Sequence, residues 1–288
     1  MVSFFRPREY YRPKNLAEAS SILAASSERG RVIAGGTDLL LQKSKGVECI
    51  VDISKLGLDY IKENEQGICL GAATTVSAVH ASPLFSSGPY LVLSEAAGSL
   101  ATATIRNKAT VGGNLCNASP AADLPLPLFV LEATLLAVGP EGERRIPVHE
   151  FFKDVNVTGL SKGELLKEIC IPPCPENAGT CFMKLRRHMT AIDIAVVNAA
   201  VLLVCRSGIC ETARIAMGAV APTPVRARNA EMLLMGRKLN EHTIQEAAEA
   251  AAAESKPIDD LRASAAYRKS MVAVLVSRAL ETSLRRCP

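Results

Sequence analysis

Apolar positions in this chain come in short blocks separated by polar or glycine-rich breaks, and the spacing inside each block predicts its element. Asn15-Leu16-Ala17-Glu18 places a capping side chain before an apolar run, with an acid three residues on, which predicts a helix through about Ser26. RVIA (31–34) reads as a strand, GGT as a turn, DLLLQKSK (38–45) as a helix and ECIVDI (48–53) as a second strand. Together they make a small βαβ unit in residues 1–57. DYIKENEQGICLGA (59–72) reads as a hairpin turning at Glu65-Gln66-Gly67. Thr75 is placed to cap a helix over VSAVHAS, and YLVLSEAAGSLA suggests another. LEATLLAVGPEGERRIPV (131–148) reads as two strands joined by a Gly/Pro turn, and LLKEICIP (165–172) as a further strand. The Pro172-Pro173 pair and the following CPENAG are the clearest linker signal.

Beyond the linker the pattern simplifies. FMKLRR, IAVVNAAVLLV and ICETARIAMGAV read as three strands, the last two joined at Arg206-Ser207-Gly208. Helices are predicted near Arg226–Met235, Glu241–Glu254 and Ala263–Arg285, the last with a stripe at Met271, Val274, Leu275, Arg278 and Leu284. The division expected is an N-terminal unit over residues 1–175, split into 1–57 and 58–175, and a C-terminal unit over 178–288.

Composition narrows the class. A chain of 288 residues with 48% apolar and 22% charged positions suits a folded soluble protein of more than one compact unit. The net charge of +4 is dispersed, with no basic stripe interleaved with aromatics, so nucleic acid is not an expected partner. The longest apolar run, AVVNAAVLLVC, is about half the ~20 residues of a membrane helix, and MVSFFRPREYYRP lacks the apolar segment of a signal peptide. The nine cysteines have no regular spacing and form no C-x-x-C, so neither a zinc site nor a local iron–sulfur pattern is legible. Buried free thiols in a cytoplasmic protein are the expectation. The four histidines are dispersed and receive no metal role, and no nucleophile motif is present.

Two glycine pairs carry the candidate chemistry. Gly35-Gly36 and Gly112-Gly113 each stand in an expected strand-to-turn context with Thr37, Thr110 and Asn114 beside them. Either the pairs are simple turns, or their bare backbone offers N–H groups to phosphate oxygens from two sides. Neither matches the dinucleotide or P-loop fingerprint. Asp123 has two readings: in SPAADL, Ser119 with Pro120 can start a helix whose first turn holds this acid, or the carboxylate accepts hydrogen bonds from ligand hydroxyls. Lys184, Arg186 and Arg187 form either a solvated strand face or a cation near a redox ring.

AGGTDLL (34–40) and TIRNKATVGGNLCNASPAADL (104–124) together resemble the two flavin-binding signatures of the FAD subunit of molybdenum hydroxylases, the xanthine dehydrogenase and carbon monoxide dehydrogenase relatives. The resemblance runs through FMKLRR…DIAVVNAA and covers nearly the whole chain. It implies an α+β fold: an FAD-binding portion of two α+β subdomains (PCMH-type), then a C-terminal domain of a three-stranded antiparallel sheet with helices. It implies FAD on this chain, its diphosphate between Val32, Ile33, Ala34, Gly35, Gly36, Thr37, Asp38 and Leu39 on one side and Thr110, Val111, Gly112, Gly113 and Asn114 on the other. Asp123 matches an acid contacting FAD, so the resemblance favours the ligand reading. Asp123→Ala is then expected to weaken FAD retention with the fold intact. Leu100 and Leu166 match positions lining the cofactor, with Leu100 standing where some relatives carry an aromatic. Lys184 matches a lysine near the flavin, and Ile192-Asp193 fall in the adjoining loop.

The role implied is electron transfer in a complex, with no catalytic side chain on this subunit. A large partner carries molybdopterin, a small partner carries [2Fe–2S] clusters, and NAD(P)+ or a quinone accepts the electrons. One branch, the hydroxybenzoyl-CoA reductases, carries an extra cysteine-bearing insertion for a [4Fe–4S] cluster; here no such insertion precedes LEATLLAV and no cluster is expected. The wording of the two signatures points to the xanthine or N-heterocycle type. The alternatives are a carbon monoxide dehydrogenase-type medium subunit delivering to quinone, a flavin-less assembly subunit, and a phosphate-binding module for another nucleotide.

Overall fold

The computed structural model describes residues 7–26, 29–42, 46–187 and 194–288. At the N-terminus, β1 (Glu9–Tyr11) leads to α1 (Leu16–Ala25), β2 (Gly30–Ile33), α2 (Leu39–Gln42) and β3 (Cys49–Asp52). Asn15 caps α1 as its spacing predicts, its side chain accepting the Glu18 N–H at 2.8 Å. The three strands form a parallel sheet in the order β1-β3-β2. β1 is an addition to the expected βαβ unit: its three side chains are exposed, so no apolar period marks it. The predicted helix from Asp38 is α2 in its described part, and residues 43–45 lie outside the described residues. Ala19, Val51, Ile53 and Leu58 form a small core that also takes in Leu165 from the next layer.

The middle of the chain holds β4 (Ile61–Asn64), β5 (Gly67–Gly71), α3 (Val76–Ala81), α4 (Leu91–Ser99), α5 (Ala103–Arg106), α6 (Val111–Asn117) and α7 (Pro125–Val130). It continues with β6 (Thr134–Gly139), β7 (Gly142–Pro147), α8 (Val148–Phe151), β8 (Phe152–Asp154), β9 (Val157–Thr158) and β10 (Leu165–Ile171). The antiparallel sheet runs β4-β5-β10-β6-β7, so the late strand β10 is inserted between two hairpins. One face buries Ile68, Leu70, Leu135 and Ile169 under α3, α4 and α7. Thr75 caps α3 as expected.

The C-terminal portion has β11 (Ala178–Leu185), β12 (Val197–Arg206), β13 (Ile209–Gly218), β14 (Val225–Arg226), α9 (Arg228–Leu234), α10 (Glu241–Glu254) and α11 (Ala265–Arg286). The three long antiparallel strands are those the pattern predicts, and two-residue β14 adds a fourth at the β13 edge. Ser207 and Gly208 turn the β12–β13 hairpin with φ of 51° and 77°, the left-handed pair that suits two twisted strands. Strand β12 is buried on both faces, hence its apolar run, interrupted only by Asn198 before the terminal Arg206. Ala200, Leu202 and Val204 join the core of the middle portion, while Val197, Ala199, Val201 and Leu203 pack under α10 and α11.

The buried face of α11 is broader than the predicted stripe, of which Leu275 lies in the core and Met271 and Leu284 pack against it. That face runs through Arg268, Val272, Leu275, Val276, Ala279, Leu280 and Ser283, while Arg278 is exposed and Val274 half-buried. Small alanine and serine side chains lie against β11 and β12, and a count of large apolar residues misses them. Among the described residues no helix is long and apolar enough to cross a membrane.

Candidate functional site

The two glycine segments meet. A Cβ on Gly35 would lie 1.8 Å from the Lys108 carbonyl oxygen and 3.2 Å from Ala109 Cα, so the first signature presses backbone to backbone on the second. Gly36 turns the chain with φ of +68°, a conformation glycine adopts without strain. The N–H groups of Gly35, Gly36 and Thr37 receive no acceptor among the described residues. Val32 to Thr37 and Leu39 are all half-buried, and Asp38 is exposed. This is open, donor-rich backbone.

The second segment departs from expectation. Gly112-Gly113 lies inside the first turn of α6, not at a strand-to-turn junction. Thr110 is the N-cap, its hydroxyl oxygen accepting the Gly113 N–H at 3.1 Å, and Thr102 likewise caps α5. The Val111 N–H donates to Thr74 O, the Gly112 N–H to Ala72 O and the Asn114 N–H to Thr110 O, each at 2.9 Å. The leading amides of α6 are therefore occupied by protein acceptors, and the expected amide nest is absent from this side. The physical cause is the bridge between Thr75 and Thr110, which lays α6 on the end of β5. Gly112 fits there because a Cβ would come within 2.6 Å of Ala72 O.

Gly113 has another reason to be glycine. It is exposed, and an added Cβ would meet only the Thr110 hydroxyl oxygen, at 2.8 Å. Asn114 Oδ1, one residue on, is sealed from solvent with no hydrogen-bond partner. An orphaned buried acceptor is destabilising by about 1–3 kcal/mol, so this one calls for a donor from outside the chain. Gln42 Nε2 reaches Asn117 Oδ1 at 2.9 Å, tying α2 to α6 across the two signatures. Free amides on one side and an unpaired amide side chain beside a bare Gly113 on the other suit a phosphate-and-hydroxyl ligand such as FAD.

Asp123 is not a helix-start residue: α7 begins at Pro125, and Ser119 only accepts the Ala121 N–H in a tight turn. The carboxylate is 3% exposed, which makes its partners decisive. Lys184 Nζ donates to Oδ2 at 2.6 Å and Asn198 Nδ2 to Oδ1 at 2.8 Å. Lys184 and Asn198 are register partners on β11 and β12, so the acid joins the loop after α6 to the C-terminal sheet. Burial pushes the Asp123 carboxyl up, and the Lys184 ammonium and the Asn198 amide pull against it. The expectation that Asp123→Ala leaves the fold intact is corrected by this pair, because removing the carboxylate strands a buried ammonium.

The solvated-face reading of the three cations fails for Lys184, which is buried, and for Arg186, whose Nη2 donates to Ser99 O at 2.6 Å. Arg187 is exposed and reaches Leu261 O at 3.0 Å. Leu100 ends α4, half-buried beside the core, with Arg106 Nη1 donating to its carbonyl at 3.0 Å. Leu166 is in the core on β10. Ile192-Asp193 lie outside the described residues. The sequence reading missed Asn198, Ala72 and Lys108: Asn198 alone carried a signal, as the one polar side chain inside an apolar strand.

Residues 4–174 match the family described as FAD binding domain in molybdopterin dehydrogenase, and residues 180–283 match the CO dehydrogenase flavoprotein C-terminal domain. The carbon monoxide dehydrogenase medium chain of Afipia carboxidovorans is 34% identical, covering 96% of this chain and 97% of its own. The putative xanthine dehydrogenase FAD-binding subunit of Escherichia coli K12 is 31% identical over 96% of this chain and 95% of its own. Among solved structures, the carbon monoxide dehydrogenase of Hydrogenophaga pseudoflava lacking the Mo-pyranopterin moiety superposes with a TM-score of 0.94 at 32% identity, covering 100% of both chains.

Proposed function

The chain belongs to the FAD-binding family of the molybdopterin dehydrogenases, with FAD as its cofactor, and on that premise we propose that it is the electron-transfer subunit of a multi-subunit complex of the carbon monoxide dehydrogenase type. The xanthine or N-heterocycle type, favoured by the wording of the signatures, is less well supported. Both a C-terminal family and a full-length structural match point to carbon monoxide dehydrogenases. The signatures misled because their residues serve the cofactor, which the branches share, and not the substrate.

One observation carries the reading: the first signature, whose Gly35, Gly36 and Thr37 N–H groups have no acceptor among the described residues, presses on the Lys108–Ala109 backbone of the second, which holds the unpaired Asn114 Oδ1, through a contact that only glycine permits. In it, the first segment supplies the amides for the FAD diphosphate. Thr110 keeps a hydroxyl proton to donate, Asn114 takes a donor from the cofactor, and Asp123 on the α6–α7 loop, paired with Lys184 of the C-terminal sheet, closes the site. Val32, Ile33, Ala34, Asp38, Leu39, Leu100, Val111, Gly112 and Leu166 shape the walls. Bound FAD stores two electrons between one-electron donors and the final acceptor; this chain holds and orients it. The partners in this reading are a molybdopterin-binding large subunit and a [2Fe–2S] small subunit, the acceptor is a quinone or NAD(P)+, and the compartment is the cytoplasm.

The purified chain is expected to show an oxidised-flavin band with about one FAD per chain, and to hydroxylate nothing by itself. A colourless chain that cannot be reconstituted with FAD, or substrate turnover by the chain alone, would falsify the assignment. The holoenzyme is expected to oxidise carbon monoxide; turnover of purines without carbon monoxide would return it to the xanthine type.

Gly113→Ala tests the cradle. Its methyl meets no backbone outside α6, and the helix gains about 1 kcal/mol of propensity against a strained cap. The thermal midpoint should barely move while FAD affinity falls about tenfold or more, a loss of about 1.4 kcal/mol. Equilibrium dialysis against FAD reads the change, and unaltered affinity removes Gly113 from the site.

A further inference from the structure

The solvent side of the β5–β10 pair carries a side-chain cluster that the flavin site does not use. Cys69 stands directly opposite Cys170 in the antiparallel register, with the two Sγ atoms 3.8 Å apart. Glu168 lies on the same face, its Oε1 3.2 Å from Cys170 Sγ. The ligand atoms of these three residues are all within 4.8 Å of one another. All three side chains are half-buried, which leaves a route for an ion.

We propose that Cys69, Cys170 and Glu168 bind a thiophilic divalent cation, Zn(II), as a tetrahedral site with an open fourth position. Zinc takes thiolate sulfur at about 2.3 Å and carboxylate oxygen at about 2.0–2.2 Å. At the tetrahedral angle those bonds give an S···S edge of about 3.8 Å and an S···O edge of about 3.6 Å. Two observed edges, 3.8 Å and 3.2 Å, lie within a few tenths of an ångström of those values, and the Cys69 Sγ to Glu168 oxygen edge is under 4.8 Å.

The surroundings fit the same chemistry. Tyr60 donates its hydroxyl to the other carboxylate oxygen of Glu168 at 2.6 Å, the kind of outer contact that orients a ligating carboxylate. Two thiolates and a carboxylate leave one negative charge in excess of Zn(II). Arg145, with Nη1 3.8 Å from Cys170 Sγ, and Lys62, opposite Cys69 on β4, are placed to balance it. Soft sulfur ligands select against magnesium and calcium. The bound cation pins β5 to β10 just before Ala72, whose carbonyl holds the Gly112 N–H, and so stiffens the shelf under α6. A Cys69–Cys170 disulfide is the rival state. It needs the sulfurs at about 2.05 Å and removes both ligands.

The full chain, reduced, incubated with Zn(II) and desalted, is expected to retain about one zinc, with two sulfurs at about 2.3 Å in zinc K-edge absorption. Cys69→Ser with Cys170→Ser should abolish retention, with FAD content unchanged as the check on folding. Glu168→Gln, which keeps both thiols, should weaken binding, and Tyr60→Phe should weaken it about 10–100-fold. The proposal is overturned if the wild-type chain retains no zinc or if the double serine variant retains as much. It is equally overturned if the two thiols form a disulfide under the reducing conditions of the assay.

Discussion

Asp123→Ala is expected to destabilise the protein by about 3–5 kcal/mol, among the larger effects open to a single substitution in this chain. Both partners of the Asp123–Lys184 pair are buried, with 4% and 6% of their side chains exposed, so water cannot screen the ammonium left behind. Asn198 is affected too: its Nδ2 keeps only the Ala122 carbonyl at 3.2 Å, and its Oδ1 is already unpaired. The loss corresponds to a fall of roughly 6–20 °C in thermal midpoint, and calorimetry of the flavin-free chain measures it without interference from cofactor binding.

Stability loss alone does not show whether the carboxylate also meets FAD. Asp123→Leu combined with Lys184→Met removes both charges and replaces them with apolar groups of similar size, a change that is often neutral or stabilising. In that double variant the midpoint should recover while FAD retention stays low. Recovery of both would make Asp123 a strut between the α6–α7 loop and the C-terminal sheet and nothing more.

The second large effect is Gly35→Ala. The added methyl would sit 1.8 Å from one backbone atom of Lys108 and 2.6 Å from another, and no rotamer change can relieve an overlap with main chain. Overpacking typically costs about 1–3 kcal/mol, and this case belongs at the upper end because the strained parties are two backbone segments. The segments must separate, which moves the amides of Gly35 to Thr37 away from the second signature. FAD per chain after gel filtration should fall to near zero.

Gly36→Ala is the graded comparison. Its positive φ costs about 1–2 kcal/mol, but its methyl would meet only the flexible side chains of Ile33 and Leu40, at 3.1 and 3.2 Å. FAD loss should therefore be smaller than for Gly35→Ala. Equal FAD retention in Gly35→Ala and wild type would show that the contact between the two signatures is not needed for the cofactor.

Local chemistry made much of the fold legible. Asn15 and Thr75 announce their helices because a cap and the N–H that donates to it lie within four residues. The β12–β13 turn and the span of α10 follow from equally local signals. Where partners are distant the reading failed. β1 is a strand only because β3 lies beside it, and the glycines of α6 read as a turn until the Thr75–Thr110 bridge is seen. The stripe on α11 is legible at Met271, Leu275 and Leu284 but incomplete, because alanine and serine also face the sheet there.

The candidate site divides in the same way. From its own residues the chain determined the elements, the two glycine signatures and the family to which they belong, because backbone conformation and FAD-binding motifs are encoded over a few consecutive positions. Only the tertiary structure decided which amides are free, since the acceptors that occupy those of α6 come from Ala72 and Thr74. It also decided that Asp123 meets Lys184 across 61 positions of sequence, and that Cys69 meets Cys170 across 101. Burial and charge pairing act through space, and sequence order does not carry those distances.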